Sequence, residues 1–199
     1  MREDVQALKR ERIIAEAVRL FYDRGYTGTT LDDVAAALGV TKPFIYTYFT
    51  GKTDLLAAIC QPTIELSLAA LMMGCEHRGP VAERLRRAVA GVTRVVLERQ
   101  AQIAVFFREE KHLAPEALDR INRLRRQFDR TLAALLAEGT ALGAFTVADP
   151  AVAALAIGGM ISWSYTWHRP HGRLSIEALG EQMADLAVGM VGARTPAAA

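Results

Sequence analysis

Apolar positions recur at helical spacing along most of the chain. Ile13, Ala17, Leu20 and Phe21 follow at i, i+4, i+7 and i+8, with Ile14 and Val18 beside them. They predict a first helix over residues 9–24, ended by Gly25 and preceded by a short leader over residues 1–8 that is mobile or frays into the helix. Thr30 then offers an N-cap, with Asp33 behind it as a short-armed capping box. Leu31, Val34, Ala35 and Leu38 form one apolar face, and Gly39 suits a left-handed helix end. Thr41 is placed to cap the next helix, Pro43 lies in its first turn, and Ile45 and Phe49 turn inward together. A further helix starts near Lys52 and runs through Leu55, Leu56 and Ile59, with a break or kink expected at Pro62 before it resumes over Thr63–Cys75.

The remaining pattern is also helical. Pro80 opens a helix striped by Leu85, Val89, Val92 and Val96, and a short apolar stretch follows over residues 103–107. Pro115 opens a long helix. Its stripe of Leu118, Ile121, Leu124, Phe128, Leu132 and Leu135 faces away from Arg120, Arg123, Arg126 and Arg130, and Gly139 and Gly143 close it. The helix opened by Asp149 and Pro150 is apolar on two faces: Val152, Leu155, Met160, Trp163 and Trp167 on one, Ala154, Ile157 and Ile161 on the other. Such a helix needs cover on both sides. The last helix starts at Ser175, with Leu174 and Leu179 as a staple. Ile176, Leu179, Met183, Leu186 and Met190 follow at seam spacing, and Ala184, Ala187 and Gly189 are small enough for close helix approach. We read these two helices as a homodimer interface made by Val152, Leu155, Ile157, Ile161, Leu179, Met183, Leu186 and Met190. Ordinary core is the alternative reading of the same residues. Apart from an Ala-rich tail, no repeat or low-complexity segment interrupts this all-α pattern.

Composition and charge narrow the class. The chain has 199 residues, 51% of them apolar, enough to bury a core. Net charge is +2, and the first 52 residues carry eight basic against seven acidic side chains, so charge alone does not announce nucleic acid. Cys60 and Cys75 fit no zinc or redox spacing and read as buried thiols in a reducing cytoplasm. Residues 1–12 are too charged for a signal peptide, and the longest mainly apolar run, residues 151–163, is too short for a bilayer. A cytoplasmic protein without a membrane partner is expected. His112, His168 and His171 have no carboxylate or thiolate in sequence to complete a metal set, and no nucleophile elbow, phosphate loop or zinc-protease motif occurs. Neither an enzyme nor a cofactor is expected.

The stretch from Thr30 to Lys52 carries the clearest chemistry. With Ile45 and Phe49 inward, Thr41, Lys42, Pro43, Phe44, Tyr46, Thr47 and Tyr48 face mostly outward. No carboxylate occurs between Thr41 and Gly51. Hydroxyls and lysine suit phosphate oxygens, while aromatic and methyl groups suit sugars and thymine methyls. Two helices joined by a Gly-containing turn form a helix-turn-helix, whose second helix enters the major groove. Periodicity alone fits a small helical corner equally well.

The residues Phe21, Gly25-Tyr26, Thr29-Thr30, Asp33-Val34-Ala35, Leu38-Gly39-Val40, Thr41-Lys42, Ile45-Tyr46, Tyr48-Phe49, Lys52 and Leu55-Leu56, in this order, resemble the N-terminal domain of the tetracycline-repressor (TetR) family. The resemblance spans roughly residues 10–56. It implies an all-α protein with a three-helix DNA-binding domain over 1–56 and a larger helical effector-binding and dimerisation domain over 57–199. It implies a homodimeric, ligand-responsive regulator, most simply a repressor, on a palindromic operator in double-stranded DNA. DNA contacts are expected from Thr29, Thr30, Thr41, Lys42, Pro43, Phe44, Tyr46, Thr47, Tyr48 and Lys52, with Tyr48 and Lys52 anchoring phosphates. Pro43 and Phe44 depart from the usual small residues, which bears on the operator sequence, and Gly51 stands where a Ser often caps the next helix.

For the effector, the candidate lining residues are Met72, Phe106, Phe107, Phe128, Met160, Trp163 and Trp167, each of which also fits plain core. Trp167-His168-Arg169-Pro170-His171-Gly172 resembles a W-(Tyr/His)-R-P-x-G signature in one subset of the family. Regulators of fatty-acid, aromatic-acid and sterol breakdown occur there, and many respond to coenzyme A thioesters. That implies an acyl-coenzyme A effector, with Arg169 or Arg173 facing its phosphates. A multidrug or lipophile sensor of the same fold, and a constitutive DNA-binding protein without effector, are the rival readings.

Overall fold

The computed structural model describes residues 2–193, and the Ala-rich tail lies outside them. Among the described residues there are nine α-helices and no strand. They are α1 (Arg2–Arg24), α2 (Leu31–Leu38), α3 (Lys42–Tyr46), α4 (Lys52–Cys75), α5 (Val81–Glu98), α6 (Gln100–Glu109), α7 (Pro115–Ala141), α8 (Pro150–Trp167) and α9 (Ile176–Met190). A single 3-10 turn, Glu110–His112, joins α6 to the loop before α7. The helices form two compact units. The first runs up to Thr63 and adds Gln100–Ile121, and the second comprises Ile64–Arg99 and the chain from Asn122 onward. α4 and α7 each contribute residues to both.

The first unit is built around α1. Ile13, Ala17, Val18, Leu20 and Phe21 are buried, the face that the sequence periodicity marks. Leu31, Val34 and Ala35 of α2, Ile45 and Phe49 around α3, Leu55, Leu56, Ile59 and Cys60 of α4, and Ile103, Val105 and Phe106 of α6 join them in the core. Each fully buried large side chain contributes about 1.5–3 kcal/mol. α2 is framed by its caps. Asp33 N–H donates to Thr30 Oγ1 at 3.1 Å, Thr30 N–H donates back to Asp33 Oδ2 at 2.7 Å, and Gly39 ends the helix at φ +67°. The Thr30 hydroxyl holds the half-buried Asp33 carboxyl below its ordinary pKa. α6 packs on α1, and the Arg108 guanidinium donates to the C-terminal carbonyls of Tyr22 and Phe21 at 3.0 and 3.4 Å. Burial, with help from Glu110, pushes the Cys60 thiol up to about 12.

Four expectations change here. Helix one starts at Arg2 instead of Lys9, because residues 2–8 contain no glycine or proline and continue the helix without a break. α4 runs through Pro62 without interruption. The proline forfeits one backbone bond and costs about 3 kcal/mol. The burial of Leu55, Leu56 and Ile59 before it and Leu68 and Leu71 after it outweighs that. α4, and not residues 151–163, is the helix long and apolar enough to cross a bilayer by length and composition, but its buried aliphatic residues make it a core helix. Pro80 is the N-cap of α5, one position earlier than expected.

In the second unit, α5 packs on α9 and α8, with Ala90 against Gly180 of α9, and buries its Leu85, Ala88, Val89, Val92 and Val96. Ala184 and Ala187 of α9 are fully buried, whereas Gly189 faces open space. α8 divides its two apolar faces. Ala154, Ile157 and Ile161 are buried, while Val152, Leu155, Trp163 and Trp167 stay 61%, 59%, 64% and 50% exposed. Leu186 and Met190 of α9 are exposed as well. Four of the expected interface residues, Ile157, Ile161, Leu179 and Met183, are therefore core of their own unit, because α5 supplies their cover. Arg86 joins α5 to α9 through Asp185 and Glu181, and Arg84 pairs with Glu138 of α7.

α7 does not end at Gly139 but continues to Ala141, and Gly143 makes the turn at φ +69°. Gly139 has a different reason to be glycine: a Cβ there would lie 2.1 Å from the Phe145 ring. Gly139→Ala is expected to destabilise the protein by about 1–3 kcal/mol, read by urea denaturation. Phe145→Ala in the same background should relieve the clash term, so that the two losses are not additive.

Candidate nucleic-acid interface and effector cavity

α3 has only five residues, too few to hold itself together, and its position is set by burial of Ile45 and Phe49. Thr41 takes the extended N-cap backbone at φ −89° and ψ 152° but makes no side-chain capping bond. Thr41 thus holds the expected N-cap position without the side-chain bond, and Pro43 lies in the first turn as expected. Thr41, Lys42, Pro43, Tyr46 and Thr47 are exposed, and Phe44 and Tyr48 are half-buried with their rings 5.3 Å apart. The Thr47 hydroxyl donates to Phe44 O at 2.7 Å. Lys42 Nζ donates to Asp32 Oδ2 at 2.6 Å, and this pairing raises the lysine pKa. A phosphate reaching Lys42 would compete with Asp32. At the start of α4, Thr50 N–H donates to Asp54 Oδ2 at 2.9 Å.

Two expected DNA contacts sit differently from the sequence reading. Thr29 is fully buried, and its hydroxyl donates to Leu20 O at 3.2 Å and Gly25 O at 3.0 Å. It secures the chain after α1 and has no path to a phosphate. Lys52 is half-buried. Its Nζ donates to Tyr26 O and Thr29 O, both at 2.8 Å, and lies 4.1 Å from the Tyr26 ring centroid. Lys52 thus ties the turn after α1 to the start of α4, leaving one ammonium proton for a phosphate. The other face of Tyr26 stacks on His112, centroids 4.8 Å apart, and its N–H donates to the buried Glu109 carboxylate. Periodicity gave no sign of these roles, because buried threonine and lysine bonds to backbone leave no spacing signature.

The expected effector residues do not behave as one set. Phe106 is buried in the first unit and Phe107 is partly exposed beside it. In the second unit Phe128 and Met160 are half-buried, and Met72 and Trp163 are exposed. Trp167 and Arg169 do come together. They line a cavity of about 250 Å³ with His168, Gly172, Arg173, Leu174 and Leu179 at the turn between α8 and α9. His168, Gly172, Leu174 and Leu179 were not among the expected contacts, although the signature 167–172 contained two of them.

Thr29→Val is expected to lower stability by about 1–3 kcal/mol in urea denaturation while leaving DNA affinity of the folded protein unchanged. Loss of DNA affinity at unchanged stability would contradict the buried placement.

Comparison with known proteins gives a consistent answer. Residues 13–59 match the family described as bacterial regulatory proteins, tetR family. Residues 78–191, more than half of the chain, match the tetracyclin repressor-like C-terminal domain. The transcriptional repressor KstR2 of Mycolicibacterium smegmatis is 22% identical over 185 residues, covering 92% of this chain and 90% of that protein. The TetR family transcriptional regulator PfmR of Thermus thermophilus superposes with a TM-score of 0.83 at 30% identity, covering 92% of this chain and 99% of that one. AibR, solved in complex with isovaleryl coenzyme A and operator DNA, superposes with a TM-score of 0.75 at 29% identity, covering 92% and 97%. These relatives are transcriptional regulators, a non-enzymatic role. The chain with the buried α3 anchor and the two matched regions belongs to the tetR family of bacterial regulatory proteins, as a helix-turn-helix DNA-binding transcription regulator.

Proposed function

We propose that the protein is a cytoplasmic homodimeric repressor that leaves a palindromic operator when it binds an acyl- or aryl-coenzyme A thioester. The observation that carries the DNA half is α3 itself: seated by Ile45 and Phe49, exposed at Thr41, Lys42, Pro43, Tyr46 and Thr47, and free of carboxylates from Thr41 to Gly51. Phe44 and Thr47 are base-reading candidates, and Tyr48 and Lys52 hold phosphates. Residues 1–56 form the DNA-binding domain, and 57–199 the effector-binding and dimerisation domain.

The dimer rests on the exposed apolar strip of Val152, Leu155, Trp163 and Trp167 on α8 with Leu186 and Met190 on α9. A monomer gains nothing from leaving such a strip in water, and a palindromic operator needs a two-fold protein. Half-sites would lie about 34–36 Å apart or a multiple of that.

The effector reading rests on the cavity at the α8–α9 turn. Trp167, Leu174 and Leu179 give it apolar walls and Arg169 and Arg173 give it two guanidinium groups. At about 250 Å³ it holds one end of a coenzyme A thioester, not the whole ligand. AibR, a similar structure, was solved with such a thioester and operator DNA. Release follows only from a difference in effector affinity between two conformations, and α4, which contributes to both units, is the link we assign.

The test is operator binding on DNA from the protein's own upstream region, with long-chain and aromatic acyl-coenzyme A thioesters and with their free acids. The thioesters are expected to weaken binding by about 5–150-fold and the acids to do nothing. Release by neutral or cationic lipophiles alone would make the protein a multidrug sensor. Indifference to every ligand would make it a constitutive DNA-binding protein.

A further inference from the structure

The inner stripe of α1 does not stop where the core stops. Phe21, Leu20, Ala17 and Ile13 are buried, and the same stripe continues toward the N-terminus as Arg10, Lys9 and Gln6. Beyond the edge of the core the residue type changes from apolar to polar and basic while the spacing of three and four persists. Asp4 and Glu11 fall on the opposite side of the helix.

These residues meet the recognition element. The Tyr48 hydroxyl donates to Gln6 Oε1 at 2.5 Å. Lys9 Nζ lies 5.9 Å from the Phe44 ring centroid, and the Arg10 guanidinium lies 5.1 Å from that of Phe49. Phe44 and Tyr48 pack on each other, so Gln6, Lys9, Phe44 and Tyr48 form one cluster. Gln6 and Lys9 are exposed. Both precede residue 13, where the match to the family's DNA-binding region begins.

We propose that the turn of α1 from Gln6 to Arg10 is part of the DNA-binding surface, with Lys9 contacting a backbone phosphate beside the one that Tyr48 anchors, and Gln6 acting as a positioning residue for the Tyr48 phenol. This rests on the proposal that Tyr48 contacts a phosphate. When a phosphate takes the phenol proton, the Gln6 amide turns over and donates an N–H to the phenol oxygen, so that it still holds the Tyr48 ring in place. Lys9, one turn further along the same face, adds a cation at the rim of the recognition surface.

The test uses the full-length protein and a duplex that the wild type selects from a random pool. Affinity is measured across a salt series for the wild type, Lys9→Ala, Lys9→Arg, Gln6→Ala, Tyr48→Phe and the Gln6→Ala, Tyr48→Phe double variant. Lys9→Ala is expected to reduce the slope of log affinity against log salt by about 0.9 for each phosphate it leaves unneutralised, without changing which duplex is preferred. Lys9→Arg is expected to restore the slope. Gln6→Ala is expected to weaken binding in the Tyr48 protein and to have no further effect in Tyr48→Phe. A wild-type slope in Lys9→Ala overturns the phosphate contact, and additive effects at Gln6 and Tyr48 overturn the positioning role. A wild type that selects no duplex would instead defeat the DNA-binding reading itself. Thermal melting of every variant separates these outcomes from misfolding.

Discussion

Everything at the DNA-facing end depends on the burial of Ile45 and Phe49. A helix of five residues pays the nucleation cost of a turn and recovers almost nothing by itself. Its position is borrowed from the core, where Ile45 is fully buried and Phe49 nearly so. The neighbouring devices serve the same end. The Thr30–Asp33 box and Gly39 fix the length of α2, Thr29 and Lys52 fasten the chain between α1 and α2, and Arg108 of α6 caps the end of α1. The outward side chains of α3 are thereby relieved of any packing duty and can be chosen for what they touch.

In the second unit the corresponding constraint is α8. A helix apolar on two faces can satisfy only one of them against α5, and the other is left in water. That division separates core from surface among residues of the same hydrophobicity. Ile157 and Ile161 stabilise the fold, and Val152, Leu155, Trp163 and Trp167 stay at the surface. The cavity at the end of the same helix lies beside this exposed strip, with Trp167 common to both.

Helix positions, caps and the inward set of each amphipathic helix followed from periodicity because burial imposes that spacing directly. Three kinds of feature did not. Pro62 forecast a break, yet neighbouring burial outweighs one missing backbone bond. Thr29 looked like a polar residue offered to DNA, but backbone carbonyls claim it, and Lys52 gives two of its three ammonium protons to such carbonyls; no spacing rule reports which acceptor a hydroxyl or ammonium finds. The two faces of α8 were both visible as apolar, but which of them α5 covers depends on tertiary packing. At the start of the chain the charged residues 2–8 hid a helix, since charge says nothing against helix formation where glycine and proline are absent.

The central claim is that α3 reads the major groove of a two-fold operator. Methylation protection on a duplex selected from a random pool addresses it directly. Guanine N7 atoms in two successive major grooves, about 34–36 Å apart or a multiple of that, should be protected symmetrically about the centre of the site. Protection confined to adenine N3 in the minor groove, or a single unpaired patch, would contradict the account.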